Sequence, residues 1–263
     1  MLARASAILR TRAVIRLLVA RDLKVKYADS VLGYLWSVLD PLLLALVYWF
    51  VFTQIFTGRL SLSPNVPYIV FLLAALLPWQ WASGVINGTS RSLTRDAKLI
   101  RSTNLPRETW VLRTVVSKFM EFFLALPVLV AFMIGFRVAP TVWLLAFPLA
   151  VLLMTVLLVG VGLILAPLTV LFSDLERLVR ISVRLLFYAS PVIYAVHSVP
   201  QHLQAFYALN PFAGILDLFR LTLLPHQTVH PGLMLASTVS SLGLFVVGML
   251  VFRRLEGRVL KEI

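Results

Sequence analysis

The sequence predicts an all-α integral membrane protein. It has six transmembrane helices, an N-terminal helix lying on the cytoplasmic face, and short re-entrant outer helices between spans five and six. Three observations carry that prediction. First, the 263 residues are 60% apolar and only 13% charged, whereas a soluble domain is about half apolar and about a quarter charged. Too few polar side chains exist to coat a water-soluble globule, which excludes a soluble enzyme, a nucleic-acid-binding module and a disordered chain. Second, six stretches reach the roughly 20 apolar residues that a bilayer crossing needs. Third, 21 of the 24 lysines and arginines fall in segments that alternate crossing places on one side.

The elements follow in order. Segment 8–27 is too charged to cross. Wound as a helix, it puts Val14, Ile15, Leu18 and Val25 on one arc and Arg16 and Lys24 opposite, the pattern of a helix lying in the interface. Asp22 interrupts the apolar arc, with Lys26 four residues on as an available partner. Span one is 34–56. Its Asp40, beside Pro41, lies about 9 Å inside at 1.5 Å per residue. An intramembrane carboxylate is a functional candidate by default, and capping the break at Pro41 is the equal alternative. Span two, 66–87, ends near Gly84 and Gly88, spaced for close helix packing. Span three is 110–136. Span four, 142–172, is overlong and carries Pro148, Gly160, Gly162 and Pro167, which predicts a tilted or kinked helix. Spans five and six are 178–196 and 232–252. Between them, 196–231 is semi-apolar, with Leu203, Phe206, Tyr207, Phe212, Leu216 and Phe219. That composition fits two short helices re-entering or resting on the outer leaflet, not a solvated loop.

Charge fixes the orientation. Seven basic residues precede span one, seven surround the loop between spans two and three, three follow span four and four close the chain, leaving Arg59, Arg137 and Arg220 on the other side. Positive charge stays cytoplasmic, so both termini are read as cytoplasmic and the net charge of +13 is a topology signal, not a footprint for nucleic acid. Residues 1–19 mix arginine with apolar residues and lack the uninterrupted apolar core of a cleavable signal peptide. The sequence contains no cysteine, hence no disulfide, thiolate metal site or thiol nucleophile.

Few residues point to chemistry within the chain. The phosphate loop G-x-x-x-x-G-K-[ST] is absent, so ATP would be hydrolysed by another chain. Asp174 and Glu176, two apart on a helix, do not face each other and read as solvated charges. His226 and His230 have a zinc-compatible spacing with no third ligand nearby. Loop 90–109 interleaves charge with Leu93, Leu99, Ile100 and Leu105. That mix suits a short helix seated in a partner's groove, with Arg95, Asp96, Leu99, Ile100 and Arg101 as candidate contacts.

A longer pattern runs through the junction of interfacial helix and first span: Arg21-Asp22-Leu23-Lys24, then Tyr27, Ser30, Leu32-Gly33, Trp36 and Pro41. Downstream stand Ser190-Pro191-Val192-Ile193-Tyr194, Asn210-Pro211 and Arg220. Together these resemble the type-2 ABC exporter permeases that move polysaccharides and teichoic acids, over essentially the whole chain. Asp40 before Pro41 and Ser173 before Asp174 depart from that family's pattern.

The resemblance implies a single transmembrane domain over 1–263, with 1–33 as interfacial helix, 34–252 as six spans and 253–263 as cytoplasmic tail. It implies a non-catalytic permease subunit of the inner membrane. Two copies would form the channel and bind two copies of a separate ATPase subunit, which holds ATP and Mg; the chain itself would carry no cofactor. The cargo would be a lipid-linked polysaccharide of O-antigen, teichoic acid or galactan type. Nucleotide-driven closure of the ATPases would move the interfacial helices, with their motif Arg21, Asp22, Tyr27, Ser30 and Gly33, and so gate the channel. Trp36, Asp40, Phe50, Tyr188 and Tyr194, on spans one and five, would line the sugar path, since aromatic planes suit the apolar faces of sugar rings; a belt at the membrane interface is the other reading of the aromatics. A related permease for drugs or smaller lipids, or an intramembrane sugar transferase, are the alternatives. The transferase would need convergent carboxylates or a metal site, and the sequence offers neither.

The charge asymmetry is testable because native cysteine is absent. Single cysteines replacing Ser61 and Gln201 should react with a membrane-impermeant maleimide in intact cells, and one replacing Ser102 should not. Outside labelling of Ser102→Cys, or of neither other variant, would overturn the orientation.

Overall fold

A computed structural model describes residues 11–27, 30, 32–55, 66–103, 105–200 and 206–262. The start of the expected interfacial helix at 8–10, residues 28, 29 and 31 of the junction, the end of span one at 56, and Leu203 lie outside the described residues. All regular structure among the described residues is helical. A bilayer enforces this, because only a helix or closed barrel pairs its own backbone groups without water.

Helix α1, Arg12–Tyr27, precedes a turn in which Gly33 adopts φ +49°, a conformation that costs glycine little and other residues much. A 3-10 turn, Gly33–Leu35, leads into α2, Trp36–Phe50, which a π-helical turn extends through Val51–Ile55. Then come α3, Tyr68–Thr89, the short helices α4, Ser92–Arg95, and α5, Ala97–Ser102, and α6, Glu108–Gly135. A 3-10 turn, Val142–Ala146, opens α7, Phe147–Leu171, with Pro148 in its first turn, where a missing N–H costs nothing. Helices α8, Leu175–Ala189, α9, Pro211–Leu223, and α10, Pro231–Glu262, complete the order.

Helix α3 is apolar on every face and therefore central: 83% of its apolar stretch is buried in the chain, against 11% for α2. Helices α7 and α10 touch backbone to backbone. A Cβ at Gly248 would lie 2.3 Å from the Gly160 carbonyl oxygen, and one at Gly160 would lie 2.6 Å from Cα of Phe245. Small residues permit this approach, which drives helix association where lipid cancels the hydrophobic term. Gly88 works the same way against α6, where an added Cβ would meet Thr114 Cγ2 at 2.7 Å.

Among the described residues five helical stretches are long and apolar enough to cross a membrane: Trp36–Ile55, Tyr68–Thr89, Glu108–Gly135, Val142–Leu171 and Pro231–Glu262. The expected fifth span, 178–196, takes a different form. Its helix starts earlier, at Leu175, and stops at Ala189, giving about 22 Å of length against a hydrocarbon core of about 30 Å. The sequence ends it at Ser190-Pro191, since proline lacks the N–H that continues a helix. Three arginines within α8 further lower its apolarity. The chain then turns through 190–198, and α9 packs inside the protein with residues 212–223 all buried.

Candidate coupling and transport site

Arg113 sits in the second turn of α6 and is 2% exposed. An isolated guanidinium at that depth would be prohibitively desolvated. Two carboxylates from two other elements close on it. Its Nε donates to Asp22 Oδ2 of α1 at 2.6 Å, with a second, shorter bond from Nη2 to Asp22 Oδ1. Its Nη1 donates to Asp96 Oδ2, at the junction of α4 and α5, at 2.9 Å. Arg95 adds a bond to Asp22 at 3.2 Å and Arg21 approaches Asp96 at 3.5 Å. The fork geometry of arginine allows it to serve both acids at once. A second contact fixes α1 on α6: Lys26 Nζ donates to Glu121 Oε2 at 2.8 Å, and Lys118 reaches the same carboxylate. The expected Asp22 partner, Lys26, thus engages α6, and Asp22 is instead the bridge to Arg113.

The loop is also tied to α8. Arg91 donates to Glu176 Oε1 at 2.7 Å, and Arg180, one turn along α8, bonds the same oxygen. Glu176 is thus a charge at the helix end, still partly solvated, that also bridges the loop to α8. Loop 90–109 is joined in this way to α1, α6 and α8.

Within that loop, the expectation that Ile100 anchors a partner is corrected. Ile100 is 2% exposed and Leu93 is likewise buried in the chain's own core, with Leu99 packed against it. A six-residue helix can seat itself only by its apolar side, so the outward side is polar: Thr94, Arg95, Lys98, Arg101 and Ser102 are exposed.

At the opposite end of α8 the two downstream motifs meet. The break at Ser190-Pro191 frees a run of carbonyls, and Arg220 of α9 donates to those of Pro191 at 2.6 Å, Val192 at 2.6 Å and Tyr194 at 3.0 Å. Tyr68 hydroxyl donates to the remaining one, Ile193, at 3.0 Å. Arg220 also lies 3.7 Å over the Phe71 ring. Asn210 caps α9 by accepting from Phe212 N–H, and its amide donates to Ser190 Oγ at 2.8 Å. Counted from sequence as an outer-loop charge, Arg220 is instead wholly buried. His230 Nδ1 lies 2.9 Å from Asp217 Oδ2, and the described residues hold no group of three or more metal ligands.

The aromatic candidates are not brought together. Trp36 and Phe50 are exposed near opposite ends of α2, about 21 Å apart at helical rise. Tyr194 is half-buried, its hydroxyl donating to the Tyr188 carbonyl at 2.9 Å and sharing a hydrogen bond with Tyr207. Asp40 is exposed on a small cavity of about 110 Å³ that also receives Lys26, Lys118 and Glu121. Tyr188 alone of the four aromatics lines a larger cavity of about 390 Å³ between α2, α3 and α8, with Tyr48, Trp79, Phe187, Arg180 and Arg184. Tyr48 and Trp79 read as belt aromatics in sequence. Their helical alignment with α8 is a tertiary fact that no local pattern reveals.

Long apolar helices around a buried central span, with a clamped basic loop at one end, define a polytopic membrane protein. The chain belongs to the ABC-2 type transporter family, whose pattern residues 13–224 match. It is 33% identical over 239 residues to the O-antigen export system permease protein RfbA of Klebsiella pneumoniae, covering 90% of both chains. A protein of the same description from Myxococcus xanthus is 30% identical over 212 residues, 80% of each. The polysialic acid transport protein KpsM of Escherichia coli is 23% identical over 217 residues, 81% of this chain and 82% of its own.

The Arg113 joint makes a stability prediction. Arg113→Gln leaves two carboxylates without the buried charge between them and should cost about 3 kcal/mol, the lower end for breaking a buried pair. Arg113→Lys should recover little, because one ammonium cannot bond both acids in the fork geometry. Thermal unfolding of the purified chain in nanodiscs reads this; an Arg113→Gln midpoint equal to native would contradict it.

Proposed function

We propose that this chain is the non-catalytic membrane subunit of an ATP-driven exporter of a lipid-linked polysaccharide. Two copies form the channel, and each engages one copy of a separate ATP-binding subunit, which holds ATP and Mg. Both termini and loop 90–109 face the cytoplasm, and the assembly sits in the cell's inner membrane. The observation that carries this reading is the similarity to an O-antigen export permease over 90% of both chains.

The ion-pair geometry supports a route for the ATPase stroke. The exposed side of α5 offers Lys98 and Arg101, a basic surface for an acidic groove on the partner. Movement there passes through Asp96 and Arg113 to α1, and through Arg91 and Glu176 to α8. Both links are charge-assisted; the Asp96–Arg113 pair is partly buried, whereas the Arg91–Glu176 pair is exposed. Helix α8 forms one wall of the aromatic cavity, and its shift relative to α3 changes that cavity's width. A sugar polymer cannot cross an aliphatic pore, because hydroxyls stripped of water lose several kcal/mol each on the harsher scales. Aromatic walls accept ring faces without fixing individual hydroxyls, so a repeating chain can slide.

The test uses cells lacking the native chain and therefore its surface polymer. The native chain should restore the polymer, whereas Lys98→Glu with Arg101→Glu should not, and the ATPase subunit should no longer copurify. Both side chains are exposed, so membrane yield should stay at the native level. Normal export with a copurifying ATPase would place docking elsewhere, and no polymer loss in the deleted cells would refute the exporter reading.

A further inference from the structure

We propose that the cavity between α2, α3 and α8 is a two-part subsite: Arg180 and Arg184 hold a phosphate or diphosphate group, while Tyr48 and Tyr188, backed by the buried Trp79, hold the sugar ring joined to it. The assignment rests on the exporter reading and gives its cargo a specific handle, the anionic linkage between carrier lipid and first sugar.

Helix α8 has three faces. Val179, Val183 and Phe187 are buried on one. Leu178, Ile181 and Leu185 are exposed and apolar on the second, a surface compatible with lipid. Arg177, Arg180, Arg184 and Tyr188 follow at steps of three, four and four residues and occupy the third, all of them exposed. Arginines placed within a membrane protein face a partner or a watered cavity, since hydrocarbon rejects them. Here two of the three line the cavity.

The charge count at that cavity is unbalanced. None of the residues lining it is acidic. Glu176, one turn below, bonds Arg180 but divides its charge with Arg91. Among the described residues no ion pair is recorded for Arg184, and the facing side of α3 contributes only the neutral Gln80, Ser83 and Asn87. A guanidinium fork in a neutral, partly enclosed site selects planar or tetrahedral oxyanions, phosphate foremost.

The rest of the wall selects a sugar. Phe187 fixes the aromatic rings: its centroid lies 5.7 Å from Tyr48, 5.9 Å from Trp79 and 5.1 Å from Tyr188. Asn87 is held by its amide, which donates to the Ser83 carbonyl at 2.9 Å, while its Oδ1 is buried with no hydrogen-bond partner. Gln80 and Ser83, which line the same wall and are part-exposed, offer the polar atoms a sugar hydroxyl can reach. The volume of about 390 Å³ is that of a small-ligand site, enough for a sugar and its phosphates but not for a length of polymer.

Binding to the purified transporter complex in zwitterionic nanodiscs tests the assignment. The probes are farnesyl diphosphate-linked N-acetylglucosamine, the same sugar as a neutral octyl glycoside, and phosphatidylglycerol as competitor. The native complex should prefer the diphosphate probe, and that preference should shrink as salt rises from about 50 to about 500 mM. Arg184→Gln should weaken the diphosphate probe at least tenfold, about 1.4 kcal/mol, with the neutral glycoside unchanged. Arg184→Lys should recover part of the loss, and Tyr188→Ala should weaken both probes. Equal native affinity for the two sugars, native behaviour of Arg184→Gln, or displacement by phosphatidylglycerol as readily as by unlabelled probe would each overturn it; the last would make this a lipid-headgroup site. If Arg184→Gln does not assemble, a native preference that ignores salt overturns it instead. Such failure alongside intact polymer export removes the subsite and leaves the exporter reading standing. Unchanged surface polymer in cells lacking the chain removes both.

Discussion

The bond between Arg113 and its two aspartates is the interaction on which the arrangement at the basic end depends. Helix α1 has little else to hold it, since among residues 12–26 only Val19 is buried. Apolar packing therefore cannot set where this helix lies or how it is rotated. Asp22 on Arg113 and Lys26 on Glu121 set both. Ion pairs that are partly buried contribute modest net stability after desolvation, and their better-attested use is to select one register. Here the register matters because Asp96 shares the same guanidinium. The loop and the interfacial helix consequently share one side chain, and neither can shift without breaking a charged bond.

The other end of the bundle obeys the same constraint with a different solution. A helix interrupted inside a membrane protein leaves carbonyls that lipid cannot satisfy. After α8 stops at Ser190-Pro191, Arg220 and Tyr68 accept that burden, covering the carbonyls of residues 191 to 194. Arg220 thus holds the chain beyond one end of α8, and Arg91 bonds Glu176 near the other. A short helix held at both ends by polar bonds is easier to displace than one locked by interdigitated apolar side chains, which suits an element that walls a path.

Much of the fold was legible because it depends on local composition. The long spans, the segregated arginines and the glycine-bearing crossings need only windows of about 20 residues. The bounds of span five were less legible for the same reason: 178–196 is apolar enough on average, but its helix runs from Leu175 to Ala189, where Ser190-Pro191 ends it. The site was less legible. Arg113 pairs with residues 91 and 17 positions away, and nothing local marks Asp22 as its partner. An arginine several residues inside an apolar run, in a chain with few acids, was the available clue. Motif residues Ser190, Asn210 and Arg220 were visible as separate matches, and only tertiary structure makes them one device. Leu99 and Ile100 looked like anchors because an apolar residue in a loop can face inward or outward, and these face inward.

Because Arg113 joins them, loop 90–109 and α1 should move as one body. Spin labels on cysteines replacing Ala20 and Ser102, in a chain with no native cysteine, measure that distance in the assembled transporter by double electron–electron resonance. A third label replacing Leu152 on α7 serves as the reference. On trapping the ATP-bound state, the distance from position 20 to 102 should stay unchanged while both distances to 152 shift. In Arg113→Gln the first distribution should broaden and the shift at position 20 should disappear. A native 20-to-102 distance that changes with nucleotide, or an Arg113→Gln complex in which position 20 still follows the loop, would contradict the claim.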